Sequence, residues 1–314
     1  MSIISETDSA MKRTMKRKAR QPDTFRQKHT LRLLIAPYLL GLLGLVLLPS
    51  LLSVGLAFTR YDALTPPVWN GLDNLRRLWN DRLFWVALSN SLVYLALAVP
   101  LRIGGAFLFA LLLGRDGWGN GLARGLVALP TAIPEIAYAL IWLVTFNPRY
   151  GPLNLLLGQL GLPTPAWTID PRTALWALVL MSVWQMGESF VVLVASLRSL
   201  PRHLFDAAAL DGAGVWGRFR HLTLPLMLPS LLLLTARDLT ISLQANFTPS
   251  LIVTKGGPGY ATLFLPLYSY QLAFDDLRLG YAAAVVWALY GITLAVVGIQ
   301  FLLARRWSFA GAVE

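Results

Sequence analysis

The chain has 314 residues, of which 56% are hydrophobic and 14% charged. Soluble domains carry about 25% charged residues, so this composition excludes an ordinary soluble protein and marks an integral membrane protein. The net charge of +11 does not indicate nucleic acid. Its densest basic stretch, Lys12 to Arg32, precedes the first apolar run, where such charge sets topology and meets anionic lipid.

Residues 1–30 read as a basic, disordered cytoplasmic tail, and residues 31–314 as a transmembrane domain. The first apolar run lacks a small-residue cleavage site and is long enough to span, so it reads as an anchor rather than a signal peptide. About 20 mainly apolar residues make a span. Six such stretches follow one another: Leu33–Phe58, Phe84–Leu113, Leu122–Phe146, Thr173–Leu197, Leu222–Asn246 and Leu279–Leu303. All are expected to be helices, because backbone in lipid must satisfy itself. Neither inverted repeats nor broken helices are visible, which weighs against an ion-coupled secondary transporter.

An even count places both termini on one side. If that side is the cytoplasm, the inner segments hold 17 Lys/Arg and the outer loops 8. The inner set includes Arg115, Arg124, Arg198, Arg202, Arg218, Arg220, Arg305 and Arg306. The bias puts both termini in the cytoplasm. The outer connections, such as "TKGGPGYATL" from Thr254, are punctuated by Gly and Pro and read as ordered turns.

Signatures of catalysis are missing from the sequence. It has no phosphate-binding G-x-x-x-x-G-K-[ST], no G-x-S-x-G and no H-E-x-x-H. It has no cysteine, and His29, His203 and His221 are not spaced as metal ligands. No catalytic residue, metal site or bound cofactor is expected on this chain.

One cytoplasmic segment stands out, "FDAAALDGAGVWGRFRHLTLPLMLP" from Phe205 to Pro229. Pro201 suits a helix start, and residues up to Leu210 favour helix. Asp211-Gly212-Ala213-Gly214 breaks it, since glycine permits a sharp bend. A second short helix then carries Trp216 and Phe219 on one side and Arg218 and Arg220 on another. Ala207 and Ala208 allow close approach by a partner, with Phe205, Trp216 and Phe219 as anchors. This suits a helix docked in another protein's groove. An amphipathic loop lying on lipid is the competing reading.

Ionisable residues inside spans are costly and face a cavity or a partner. Arg102, Glu135, Glu188, Arg237 and Asp238 are of this kind. Asp238, Ser242 and Asn246 repeat at i, i+4 and i+8, a polar stripe on one helix face. Trp184, Gln185 and Glu188 form a second polar and aromatic patch. These groups read as a candidate substrate path, since carboxylates and amides can bond a solute's hydroxyls and an aromatic ring can cover its apolar face. Polar glue between helices, or an Arg237–Glu ion pair, is the competing reading.

Asp206-Ala207-Ala208, then Gly212, then Leu222-Thr223-Leu224-Pro225 resembles the EAA loop of binding-protein-dependent ABC importer permeases, E-A-A-x3-G-x9-I-x-L-P. The spacing matches at every element, with Asp206 in place of the usual Glu and Leu222 in place of Ile. "YDALTPPVWNGLDNLRRLWND", "LPTAIPEIAYALIW", "TKGGPGYAT" and "FDDLRLGYAAA" extend the likeness over nearly the whole chain. They resemble the carbohydrate, maltose-transporter-like branch and the first of its two permeases. The resemblance implies an all-α type I importer fold of six transmembrane helices, with residues 200–225 as the cytoplasmic coupling loop. It implies Phe205, Asp206, Ala207, Ala208, Asp211, Gly212, Phe219 and Pro225 as ATPase-docking residues. It also implies a second permease, two cytoplasmic ATPases that bind the ATP, and an extracytoplasmic solute-binding protein. The expected cargo is a sugar or oligosaccharide, with glycerol phosphate, a polyol or another small solute as the alternative.

Overall fold

The computed structural model describes residues 24–114, 117–244 and 246–304, with side chains from Leu33 onward. The basic residues Lys12 to Arg20, together with Arg115, Arg305 and Arg306, lie outside the described residues. The chain forms two units, one up to Gly55 and one from Leu56 onward.

The first unit is helical from Thr24, six residues before the expected end of the tail. Helix α1 (Thr24–Gly41) passes through a π turn (Leu42–Leu47) into α2 (Leu48–Leu56). The stretch Leu33–Leu56 is long and apolar enough to cross a membrane.

The second unit opens with a two-residue hairpin, β1 (Thr59–Arg60) against β2 (Val68–Trp69). Helix α3 (Asp73–Asn80) follows. The buried Asn74 amide pins it by donating to Ala57 O at 2.9 Å and Thr59 O at 2.8 Å. Asp81 then caps α4 (Arg82–Leu113), accepting from the backbone N–H of Leu83 and Phe84. Asp81 also accepts from the hydroxyls of Tyr268 and Tyr281, the latter at 2.5 Å.

Helix α4 is the central post. Its 32 residues run about 48 Å at 1.5 Å per residue, well beyond the roughly 30 Å hydrocarbon core. Ala87, Ala98, Ala106 and Ala110 are fully buried along it, and such small residues let neighbouring helices approach closely. Packed on it are α8 (Pro171–Trp184), α9 (Gly187–Arg198), α12 (Leu224–Gln244) and α13 (Leu265–Tyr270). The last helix, α14 (Leu279–Ala304), packs on α12, α13 and α3.

Four of the six expected spans are helices long and apolar enough to cross a membrane, and the other two are bent pairs. The expectation of unbroken helices is overturned here. The third stretch is α5 (Asn120–Ala128), a 3-10 turn (Leu129–Ala132) and α6 (Glu135–Thr145), bent by 103°. Proline at 134 forces the preceding Ile133 into an extended conformation, which ends the helix. The fourth is α8 and α9, bent by 43°. The two breaks touch. A Cβ on Gly187 would stand 2.8 Å from both Ala128 Cα and Val127 O, so only glycine lets the segments meet. A short helix, α7 (Pro152–Gln159), lies between them in the chain. The "TKGGPGYAT" loop is ordered as expected. Asn90 donates to Tyr260 O and Leu263 O, and Ser250 Oγ donates to Thr262 O at 2.6 Å.

Candidate functional site

At the C-terminal end of α4 the chain builds the segment that the sequence singled out. Helix α10 (Arg202–Leu210) begins after Pro201 and ends in a complete Schellman turn. Ala213 N–H reaches Ala208 O at 2.9 Å and Gly212 N–H reaches Ala209 O at 3.2 Å. Gly212 takes the left-handed position, φ 79°. Gly214 is the extended cap of α11 (Val215–Arg218). A π turn (Phe219–Thr223) then runs straight into α12. Pro225 explains that turn, because it has no N–H for the carbonyl one helical turn before it.

The anchors divide. Asp206, Ala207 and Asp211 are exposed, while Phe205 and Ala208 are half-buried. Phe219 is not a free anchor. Its ring lies 6.3 Å from Phe107 of α4 and is stacked on Trp216 at 5.4 Å. The apolar tip that faces outward is instead Leu210, Val215 and Trp216. Leu210 and Val215 were missed, although both flank the glycine turn, where an apolar residue has no core to enter. Beside α10 lies an open groove of about 750 Å³, lined by Ala110, Gly114, Arg198, Arg202, Phe205 and Asp206 among others. Two arginines close the end of α4, Arg124 Nε on Leu113 O at 2.7 Å and Arg198 Nε on Gly114 O at 3.2 Å. Cations suit a helix C-terminus, where carbonyls lack partners.

A second, smaller cleft of about 200 Å³ opens between α4, α9 and α12, beside the break in the third span. Gln185, Glu188 and Asp238, all expected at a substrate path, line it with Arg102, Arg237 and Thr131. Arg102 and Asp238 are buried and paired, Nε to Oδ2 at 3.0 Å, and Arg102 also donates to Ser242. Arg237 Nη2 meets Glu188 Oε2 at 2.6 Å in a partly exposed pair. The polar stripe is therefore buried as a unit, with Asp238 and Ser242 held by one guanidinium. Asn246 continues it at 1% exposure, and neither its amide oxygen nor its nitrogen has a partner among the described residues. Ser242, Asn246 and Trp184 do not line the cleft. Trp184 is 58% exposed and edge-on to Trp142 at 6.2 Å.

Residues 102–309 match the family described as the binding-protein-dependent transport system inner membrane component. The chain is 36% identical over 278 residues to the "Probable ABC transporter permease protein YesP" of Bacillus subtilis, covering 87% of this chain and 89% of that one. It is 32% identical over 273 residues to the trehalose/maltose transport system permease protein MalF of Thermococcus litoralis, covering 86% and 88%. A solved bacterial ABC transporter involved in import of the acidic polysaccharide alginate has the same fold. The TM-score is 0.77 at 21% identity, covering 90% of this chain and 97% of the other.

Proposed function

The chain belongs to the inner-membrane components of binding-protein-dependent transport systems, and from that premise we propose that it is one half of the membrane path of an ATP-driven sugar importer. A second permease completes the path, two cytoplasmic ATPases bind the ATP, and an extracytoplasmic solute-binding protein delivers the solute. Family membership removes the secondary transporter from contention, although that reading also anticipates broken spans.

The observation that carries the proposal is the Asp206–Pro225 segment. Its turn is locked by backbone hydrogen bonds and its tip is apolar and outward-facing. A rigid helix pair that continues directly into α12 can pass motion from a docked ATPase into the membrane. In this reading Asp206, Ala207, Ala208, Asp211 and Gly212 form the docking face with Leu210, Val215 and Trp216. Phe205 lines the groove behind it, Phe219 props it against α4, and Pro225 sets the entry into α12.

The small cleft supports a hydroxyl-rich solute over a phosphate ester. Each guanidinium there is already matched by a carboxylate, whereas an anionic cargo needs free cationic donors. The relative named for trehalose and maltose is consistent with this. Gln185 and Glu188 are the groups offered to the solute, Trp184 the ring beside them, and Asp238, Ser242 and Asn246 the buried wall.

Two measurements test the proposal. Purified from its own membrane, the chain is expected to bring down an ATPase, and Gly212→Asp is expected to abolish solute-stimulated hydrolysis and uptake. Retention of both activities in that variant would refute the docking assignment. Glu188→Ala with Asp238→Ala is expected to abolish uptake while the ATPase stays bound, and unchanged uptake would refute the path.

A further inference from the structure

Helix α3 is divided lengthwise into three sectors. Successive residues lie about 100° apart around a helix. Asn74 and Leu78 occupy one sector and face the protein, Asn74 bonded to two backbone carbonyls and Leu78 packed on the core. Asp73, Arg76 and Asn80 occupy another, polar and exposed, with an Asp73–Arg76 ion pair at 3.6 Å. Between them run Leu72, Leu75 and Trp79, at i, i+3 and i+7. These three are 55%, 41% and 70% exposed. No packing among the described residues accounts for an apolar stripe of that size.

The stripe is not isolated. Trp79 meets Trp85 edge to face at 5.2 Å, and Trp85 Nε1 donates to Trp79 O at 2.9 Å. Trp85 lies in the first turn of α4 and begins the outward face of that span, which continues through Leu92 and Val93. Trp69, stacked on Phe58, exposes a further indole just before the stripe. Exposed apolar surface thus runs from a membrane span onto α3. It does so where tryptophans belong, at the level of lipid headgroups.

We infer that α3 is an interfacial anchor. It lies along the membrane surface at the end of α4 opposite the Asp206–Pro225 segment, with Leu72, Leu75 and Trp79 in the acyl–headgroup boundary and Asp73, Arg76 and Asn80 in water. The occupant of the stripe is phospholipid. Asp81 and the two tyrosines that it binds fix the depth of this helix relative to α4, α13 and α14.

The chain carries no cysteine, so a single introduced thiol reports one position. Leu75→Cys, Trp79→Cys, Asp73→Cys and Arg76→Cys are each spin-labelled in the full chain, reconstituted in bilayers with the subunits that copurify. Collision with oxygen and with a water-soluble nickel chelate is then measured. Labels at 75 and 79 are expected to be reached by oxygen and shielded severalfold from nickel relative to 73 and 76. Equal nickel access at all four positions would overturn the inference in favour of a solvated face. Exclusion of both reagents at 75 and 79 would overturn it in favour of a protein partner.

Discussion

Gly212 carries the turn of the proposed docking segment by backbone conformation alone. A Cβ there would meet nothing within 4 Å, yet its φ of 79° is left-handed. A β-branched residue in that region costs about 1–2 kcal/mol, and the turn is expected to open to avoid it. Gly212→Val should therefore lose coupled ATP hydrolysis, whereas Gly214→Ala, at φ −67° with open space around it, should keep it. The glycine was legible, because a break after an alanine-rich helix needs one. The Arg102–Asp238 pair was legible only in part. Both residues were marked as costly inside spans, but their contact joins positions 136 apart, and periodicity carries no register between distant helices. Removing one partner of a buried pair strands a charge, at about 3–5 kcal/mol. Arg102→Leu is expected to lower the thermal midpoint of the detergent-solubilised protein more than Arg102→Leu combined with Asp238→Leu does. A double variant as unstable as the single would show that the pair is not what holds α4 to α12.

At the scale of elements, the broken spans are the main feature that hydropathy concealed. Length and apolarity are averages over about 20 residues, and neither Pro134 nor Gly187 changes such an average. The break at Gly187 depends on the Ala128 backbone, which belongs to another span and leaves no local signal. Gly187→Val is expected to push the two bent pairs apart and abolish assembly, read as loss of the monodisperse peak on size exclusion. The Asp81 junction was equally hidden, since its partners lie 187 and 200 residues away. Burial raises the Asp81 pKa, but bonds from Tyr268, Tyr281 and two backbone N–H groups outweigh it and hold the value below the usual carboxylate range. A depressed folded-state pKa stabilises fully above the unfolded value, about 3.9, and that stabilisation is lost as pH falls through the folded value. Asp81→Ala is thus expected to cost at least about 1 kcal/mol from the lost cap alone. The deficit should be constant from pH 5 to 8 in thermal unfolding and should shrink only in strong acid.

At the scale of the whole molecule, the all-helical outline of the fold followed from apolar length, because lipid leaves the backbone few alternatives. Orientation rests on charge. Arg124 and Arg198 close one end of α4 beside the groove lined by Arg202, whereas Asp81 and α3 mark the other end. Basic residues near span ends stay in the cytoplasm, so the Leu210 tip is expected inside and the hairpin before α3 outside. Two substitutions at exposed positions decide this, Leu210→Cys and Thr65→Cys. In intact cells a membrane-impermeant maleimide is expected to label Thr65→Cys and spare Leu210→Cys. In inverted vesicles stripped of peripheral proteins it should label Leu210→Cys. Adding back the copurifying ATPase should then protect Leu210→Cys, because that residue lies on the face assigned to docking. Labelling of Leu210→Cys in intact cells would invert the topology. Labelling in stripped vesicles that the ATPase does not slow would leave the topology standing and remove the Leu210 tip from the docking face.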